Sequence, residues 1–380
     1  MTSPSVHWVD SPRELERVGR RLEGAEVISV DTEQDSFYSY RTKVCVVQIG
    51  ALGEEWVIDA LALDDFSALS APLRDPDIPT ILHAGENDVD LLRKNCGLEI
   101  RGLFDSMAAA AISGASRTGL APLLEEHFGI KIEKKYQRSD WRKRPLVGEQ
   151  IEYAALDVRY LPALRELFMR RLAELGREAE AHSDFARIEQ VAHPLRTFDP
   201  DAYYQIKDAR ALDGVGRRIL RDLFVFREAI ADREDRAVFR ICPDHALLAL
   251  AQKRPRHAGQ LNRFRGLSDR FRQRSGRQLL ELIAGAVERG PLDPPRARSS
   301  GQTQPFQLDG SLKKKYDRLR RWRTGRAVVR GVEPGRVIPN AMLLQVVLEE
   351  PRSTQELLKA GLEPWRVKEY GEELLIQLKP

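Results

Sequence analysis

The sequence predicts a mixed α/β domain followed by two all-α helical domains. Three observations carry that prediction. Short β-branched runs alternate with amphipathic helical stretches in the first part of the chain, whereas from residue 203 the apolar spacing is helical. A phrase in the second part returns further on in altered form, as two copies of one unit would show. The charge divides along a similar line. Residues 1–182 hold 23 Lys and Arg against 31 Asp and Glu, a balance of −8, and residues 183–380 hold 38 against 26, or +12.

With 380 residues, 42% hydrophobic and 31% charged, the chain has material for two or three cored domains. No apolar run approaches the roughly 20 residues that span a bilayer. Met1 to Glu16 lacks a basic stretch with an apolar run behind it, so no signal peptide is expected. Cys45, Cys96 and Cys242 lie far apart without metal-ligand spacing, which suits reduced thiols in a cytoplasmic protein. An acidic half joined to a basic half suggests that one part holds metal and the other a polyanion. Two solvated surfaces of different bias would give the same count.

In chain order, Pro12 to Leu22 reads as an amphipathic helix, with Ser11 as N-cap and Pro12 at the first helical position. Three strand-like runs follow, Val27–Glu33, Lys43–Ile49 and Glu55–Ile58. The short turn Gly50–Gly53 makes the last two a hairpin or meander. A helix around Phe66–Leu73 leads to a fourth strand, Thr80–His83, and helical patterns fill most of 86–175.

The stretch Ile28-Ser29-Val30-Asp31-Thr32-Glu33 delivers two carboxylates to a strand end. Side chains alternate along a strand, so Asp31 and Glu33 share a face. Neighbouring carboxylates repel unless a cation sits between them, and hard oxygen donors suit Mg²⁺ or Mn²⁺. A turn or helix cap uses the same D-x-E. His83-Ala84-Gly85-Glu86-Asn87-Asp88 places Asp88 in the first turn of a helix, where the dipole alone would favour it. On the helical phrase Tyr153–Leu161, Tyr153 and Asp157 are four apart and share a face, as a half-buried Tyr beside a solvated Asp also would. Together, four carboxylates and a phenol suit two-metal phosphodiester hydrolysis, with two ions about 3.5–4 Å apart.

These residues, in this order, resemble the motifs of the DEDD superfamily of 3′→5′ exonucleases, in its Tyr-bearing subgroup, and within it the ribonuclease D family. Asp31-Thr32-Glu33 matches the first motif, Asp88 the second, and Tyr153 with Asp157 the third. Val46-Val47-Gln48-Ile49 and Ser139-Asp140-Trp141-Arg142-x-Arg144-Pro145-Leu146 are further similar phrases. The resemblance implies a ribonuclease H-like α/β exonuclease domain over residues 1–188. It further implies two divalent metal ions: Asp31 bridging both, Glu33 and Asp157 completing one site, Asp88 supporting the other, and Tyr153 orienting the attacking water. Phe37 lies where related proofreading exonucleases place an apolar residue against terminal bases. Stacking of that kind is worth about 1–3 kcal/mol, and a core Phe behind the site is the alternative.

The pattern loosens from Glu189 to Asp201. Residues 203–290 then read as helical, with a turn at Asp213–Gly216, a helix over Arg217–Arg233 and a helix start at Pro243. Residues 291–307 read as a flexible linker, and a second helical block runs from 308 to 380. Val337–Leu344 parallels Arg240–Leu248. The first copy, through Arg240-Ile241-x-Pro243-Asp244-x₂-Leu247, is similar to the HRDC (helicase and RNase D C-terminal) domain, and the second is a more divergent copy. HRDC domains imply contacts with nucleic acid or protein. The basic run Lys313–Arg323, including Lys313 and Arg320, is the candidate contact with an RNA backbone, and a solvated charged face is its alternative.

The resemblance thus implies a metal-dependent 3′→5′ exoribonuclease releasing nucleoside 5′-monophosphates, with tRNA precursors and other small structured RNAs as substrates. A DNA-directed exonuclease of the same fold and a catalytically silent RNA-tethering protein remain as alternatives.

Overall fold

The structure, a computed structural model, describes residues 5–194, 197–295 and 310–379. Most of the expected linker 291–307 lies outside the described residues, as do Met1–Pro4 at the head of the stretch read for a leader. Within the described residues the chain gathers into two units. One is drawn from residues 5–33, 44–193 and 310–379, the other from residues 34–43, 194 and 197–295.

The first unit is built on one six-stranded mixed sheet of order β1-β4-β3-β2-β5-β6. Its strands are β1 Ser5–Val9, β2 Ile28–Gln34, β3 Val44–Ala51, β4 Glu54–Asp59, β5 Thr80–Leu82 and β6 Leu103–Asp105. β3 and β4 form the expected hairpin, with Val47 opposite Ile58, and turn at Leu52 and Gly53, both at positive φ. β5 pairs in parallel with β2 on one side and β6 on the other. All eight residues of β3 are buried, as expected of a central strand covered on both faces.

Two strands escape the sequence reading. β1 is an edge strand with only Val9 buried, and β6 is three residues long inside a region that reads as helical. The helix expected at 66–73 is a short 3₁₀ turn, Ser67–Leu69, running into Ser70–Arg74. Ser11 does stand at the N-cap of α1 (Pro12–Leu22), yet its hydroxyl donates to Glu14 Oε2 at 2.8 Å and leaves the backbone uncapped.

The helices that matter for the site are α2 Glu86–Leu91, α3 Ser106–Ile112, α4 Leu120–Phe128, α5 Gly148–Arg159, α6 Leu161–Glu174 and α7 Glu178–Glu189. The phrase read as one helix through Leu161 breaks at Tyr160, and α6 restarts with Pro162 in its first turn. α5 lies across β3. Gly50 makes that approach possible, because a Cβ there would stand 3.3 Å from Val158 Cγ2. Ala154 and Ala155 bury against Cys45, Val46, Val57 and Trp141 on this side of the sheet.

The two helical modules repeat one plan. The first has α8 Gly214–Glu234, α9 Asp244–Lys253 and α10 Asp269–Glu288, and the second has α11 Gly310–Arg330, α12 Asn340–Glu349 and α13 Pro364–Leu378. Asp213–Gly216, expected as a turn, is the N-cap and first turn of α8, with Asp213 Oδ1 accepting from the Gly216 amide at 2.7 Å. Pro243 is the N-cap of α9 rather than its first residue. A buried arginine marks the repeat. Arg227 of α8 donates to the Cys242 carbonyl and to Asp244, 15 and 17 residues ahead. Arg323 of α11 donates to the Ile338 carbonyl and Asn340 at the same separations. Arg254 and Glu350 close the following helices in the same left-handed conformation.

Within the first unit, the second module rests on α7. Arg330 donates to the buried Glu180 at 2.6 Å, Arg336 pairs with Asp184, and Arg177 reaches the Arg330 carbonyl at 2.8 Å. Part of the charge asymmetry seen in the sequence is therefore spent inside the molecule, where Arg330 of the basic second half meets Glu180 of the acidic first half.

In the other unit, residues 34–43 lie on α8. Tyr40 OH donates to Glu228 at 2.9 Å, and the Tyr40 and Arg41 amides donate to Asp235 at 3.1 Å. The Arg240 guanidinium stands 4.1 Å over the Tyr38 ring and donates to the Phe37 carbonyl.

Candidate active site

β2 ends in Asp31-Thr32-Glu33, α5 crosses β3, and the β5–α2 turn brings a third segment to the same place. Asp31, Glu33, Tyr153 and Asp157 line one cavity of ≈ 430 Å³, together with His83, Met107, Gln137 and the start of α4. Asp88 is more deeply buried, in the first turn of α2, and accepts a hydrogen bond from the Thr32 hydroxyl. Its charge acts on both Asp31 and Glu33. The structure thus brings the five expected residues to one locus. Lys313 and Arg320 are exposed on α11 and do not line the cavity; Arg320 lies 4.0 Å from Asp317. Phe37 belongs to the other unit and is 46% exposed.

The β5–α2 turn is closely specified. Ala84 sits at φ +59°, and Gly85 leaves no room for a side chain, since a Cβ there would be 2.5 Å from Leu82 Cδ2 and 2.6 Å from Leu82 Cβ. Asp105, buried at the end of β6, accepts from the Gly85 amide at 2.8 Å and from the Ala108 amide at 2.7 Å. One carboxylate so caps α3 and holds the turn that presents Asp88. Sequence reasoning missed Asp105, because its partner lies 20 residues away and no motif spacing marks it.

Trp141, in the Ser139–Leu146 phrase, is the largest fully buried side chain among the described residues and stands 6.2 Å from the Tyr153 ring, tilted against it. Arg144 of the same phrase donates to Asp59 and, at 3.0 Å, to the Cys45 carbonyl. Arg159 forks onto Glu55 with two contacts of 2.6 Å, fixing the end of α5 to β4. These pairs hold the helix that carries Tyr153 and Asp157.

Removal from water and mutual repulsion dominate the electrostatics. The Asp31 carboxyl is raised well above the usual carboxylate range, first by burial and then by Asp157, Asp88 and Glu33. Glu33 is pushed up to about 9, by burial and then by Asp157 and Asp88. Burial lifts Asp157 to about 7. Tyr153 is raised by burial and then by the charges of Asp157, Glu33 and Asp31, so its phenol keeps its proton and can donate to an oxygen. His83 is lowered to about 4 by burial, and its neutral ring bonds Ser106 through Nδ1 at 2.9 Å.

Acid groups that resist ionisation together accept charge neutralisation from a cation, and every donor here is a hard oxygen. The residue set therefore fits a divalent metal, although among the described residues no three acidic, His or Cys side chains already converge as a metal cage.

This sheet, with acidic side chains from β2, α2 and α5 around one cavity, is that of a 3′–5′ exonuclease, and residues 6–173 match the 3′–5′ exonuclease family. Residues 216–283 and 313–376 each match the HRDC domain. The chain is 31% identical over 288 residues to ribonuclease D of Gluconacetobacter diazotrophicus, covering 74% of this chain and 72% of that one. It therefore belongs to the ribonuclease D family, whose exonucleases depend on divalent metal ions. It is also 29% identical over 260 residues to exosome complex component 10 of Rattus norvegicus, 66% of this chain but only 29% of that protein's length. The crystal structure of Escherichia coli RNase D, an exoribonuclease involved in structured RNA processing, shares the fold. It covers 98% of both chains at 24% identity, with a TM-score of 0.67.

Proposed function

We propose that this protein is a divalent-metal-dependent 3′→5′ exoribonuclease that releases nucleoside 5′-monophosphates from single-stranded 3′ ends. The observation that carries the proposal is the meeting of Asp31, Glu33, Tyr153 and Asp157 around one cavity, with Asp88 tied in through Thr32. Family membership and the RNA-processing names of the relatives support RNA as the substrate class.

In this reading Asp31, Glu33, Asp88 and Asp157 hold two ions, Mg²⁺ or Mn²⁺. Bound ions of this class activate water and stabilise a leaving 3′ oxygen. The chain's own residues do the rest. Tyr153, kept protonated by burial and its acidic neighbours, donates to and orients the attacking oxygen. The neutral His83 and the apolar start of α4 shape the wall without adding charge. Phe37 would stack on a terminal base, and Lys313 and Arg320 would meet the RNA backbone. tRNA precursors and other small structured RNAs are the proposed substrates. The proposed setting is the cytoplasm, where Cys45, Cys96 and Cys242 stay reduced; among the described residues no disulfide joins them. The working parts are then residues 1–188, 203–290 and 308–380.

The test is gel-resolved digestion of a 5′-labelled single-stranded RNA with Mg²⁺ or Mn²⁺, alongside a DNA oligomer of the same sequence. A ladder shortening from the 3′ end, faster on RNA and absent in Asp31→Ala, is expected. A faster ladder on DNA would move the substrate class, and binding without cleavage under either metal would leave a tethering protein.

A further inference from the structure

The first helical module carries a second concave, polar feature. A cavity of ≈ 170 Å³ opens between the end of α8, the short helix Val238–Ile241 and the start of α10. Five arginines line it, Arg233, Arg236, Arg240, Arg270 and Arg274, with Glu234 as the single acidic residue of the wall. That one carboxylate is shared: Arg236 stands 3.1 Å from it, Arg274 3.3 Å and Arg233 4.0 Å. Arg240 is committed to the Phe37 carbonyl and the Tyr38 ring. Arg270 is exposed and, among the described residues, forms no ion pair. Five guanidinium groups to one carboxylate leave the wall with a net positive charge that suits an anion.

The size of the cavity narrows the choice of anion. At ≈ 170 Å³ it falls below the roughly 300–1,000 Å³ of organic-ligand pockets, yet it holds several groups of water size. Guanidinium forks match the paired oxygens of a phosphate. Ser268 and Ser275 add hydroxyls at the wall, and Ser268 caps α10, whose N-terminal dipole also favours an anion.

We propose that this arginine-lined cavity is a phosphate subsite of the first helical module, which takes one or two backbone phosphodiesters of a bound RNA strand. The assignment of RNA rests on the exonuclease reading above. The site lies outside the basic run of α11 and contains no residue of the acidic cavity. Its arginines supply affinity and salt dependence without reading bases.

The test is filter binding of a 5′-labelled 20-nucleotide single-stranded RNA to the full chain in EDTA, over a salt series. Arg270→Ala/Arg274→Ala is expected to raise Kd about tenfold at low salt and to make the log–log salt slope shallower by about 1.4, 0.7 for each lost phosphate contact. Arg270→Lys/Arg274→Lys keeps both charges and should recover most of the slope. A control of equal charge change, Arg277→Ala/Arg289→Ala, removes exposed arginines outside the cavity and should stay within twofold of wild type. An unchanged slope in the alanine pair would overturn the proposal, as would equal weakening by the control or a lysine pair as weak as the alanine pair. Competition by polyglutamate as strong as by RNA would assign the cavity to an acidic protein segment instead. If the wild type bound RNA but left it uncut with Mn²⁺, the exonuclease reading would fail while the salt slope still decided the cavity.

Discussion

Replacing Gly85 with alanine perturbs the site through a single methyl group that touches no ligand. The new Cβ would stand 2.5 Å from Leu82 Cδ2 and 2.6 Å from Leu82 Cβ, whereas carbon atoms rest at about 3.5–4.0 Å. The Leu82 side chain can rotate its Cδ2 away, but its Cβ is fixed to β5. The turn must therefore retreat by about 1 Å. Overpacking of this kind costs about 1–3 kcal/mol. The retreat also loosens the Asp105 bond to the Gly85 amide and shifts the first turn of α2, which carries Asp88. A misplacement of about 1 Å at a reacting centre costs about 10²-fold in rate. Steady-state hydrolysis of a short single-stranded RNA, with a thermal melt of the same preparations, reads both effects. The expectation is kcat/KM down about a hundredfold and a melt lowered by a few degrees. Activity within twofold of wild type at an unchanged melting temperature would refute the argument that Gly85 sets the position of Asp88.

Further outcomes follow from the same geometry. Glu33 and Asp157 are raised in the folded protein to about 9 and about 7, so the stability they contribute is present at low pH and lost as pH rises through those values. Without metal the melting temperature should fall between pH 5 and pH 9, Mn²⁺ should restore it most at high pH, and Asp157→Asn should flatten the profile; a metal-free melt that rises with pH would contradict this. Arg227→Ala and Arg323→Ala each leave a buried carbonyl unpartnered, whereas the exposed Asp244 and Asn340 turn to water, and each should cost about 1–3 kcal/mol, seen as an earlier first transition on heating. Equal melts for wild type and variants would show that the repeated arginines are not structural anchors. Arg330→Ala leaves Glu180 buried without its cation and should destabilise by about 3–5 kcal/mol, whereas Arg330→Met/Glu180→Gln should recover most of the loss. A double variant no better than the single one would remove the ion pair from the account.

The candidate site residues were legible as a group because their placement is local. Asp31 and Glu33 share a strand end, and Tyr153 and Asp157 share a helix face; either pair can be found within five residues of sequence. Asp105 was not legible, since its value lies in a bond to Gly85 that exists only once β6 sits beside β5. β6 itself is three residues long, too short for a period to show, and β1 is a five-residue edge strand in which Ser5 and His7 are exposed and Val6 and Trp8 only half-buried. The internal repeat was legible at the Pro-containing helix starts. The same alignment carried backward reaches Arg227 and Arg323, whose burial no charge pattern announces. The charge asymmetry was visible, but its partial use in Arg330–Glu180 depends on tertiary contact.

The central claim is hydrolysis of the last phosphodiester at a site built on Asp31. The most direct measurement is mass spectrometry of the small products released from single-stranded RNA in H₂¹⁸O with Mn²⁺, for wild type and Asp31→Ala. The account predicts nucleoside 5′-monophosphates carrying one ¹⁸O in the phosphate, and none from the variant. Products ending in a 3′ or cyclic phosphate, or equal release from Asp31→Ala, would contradict it.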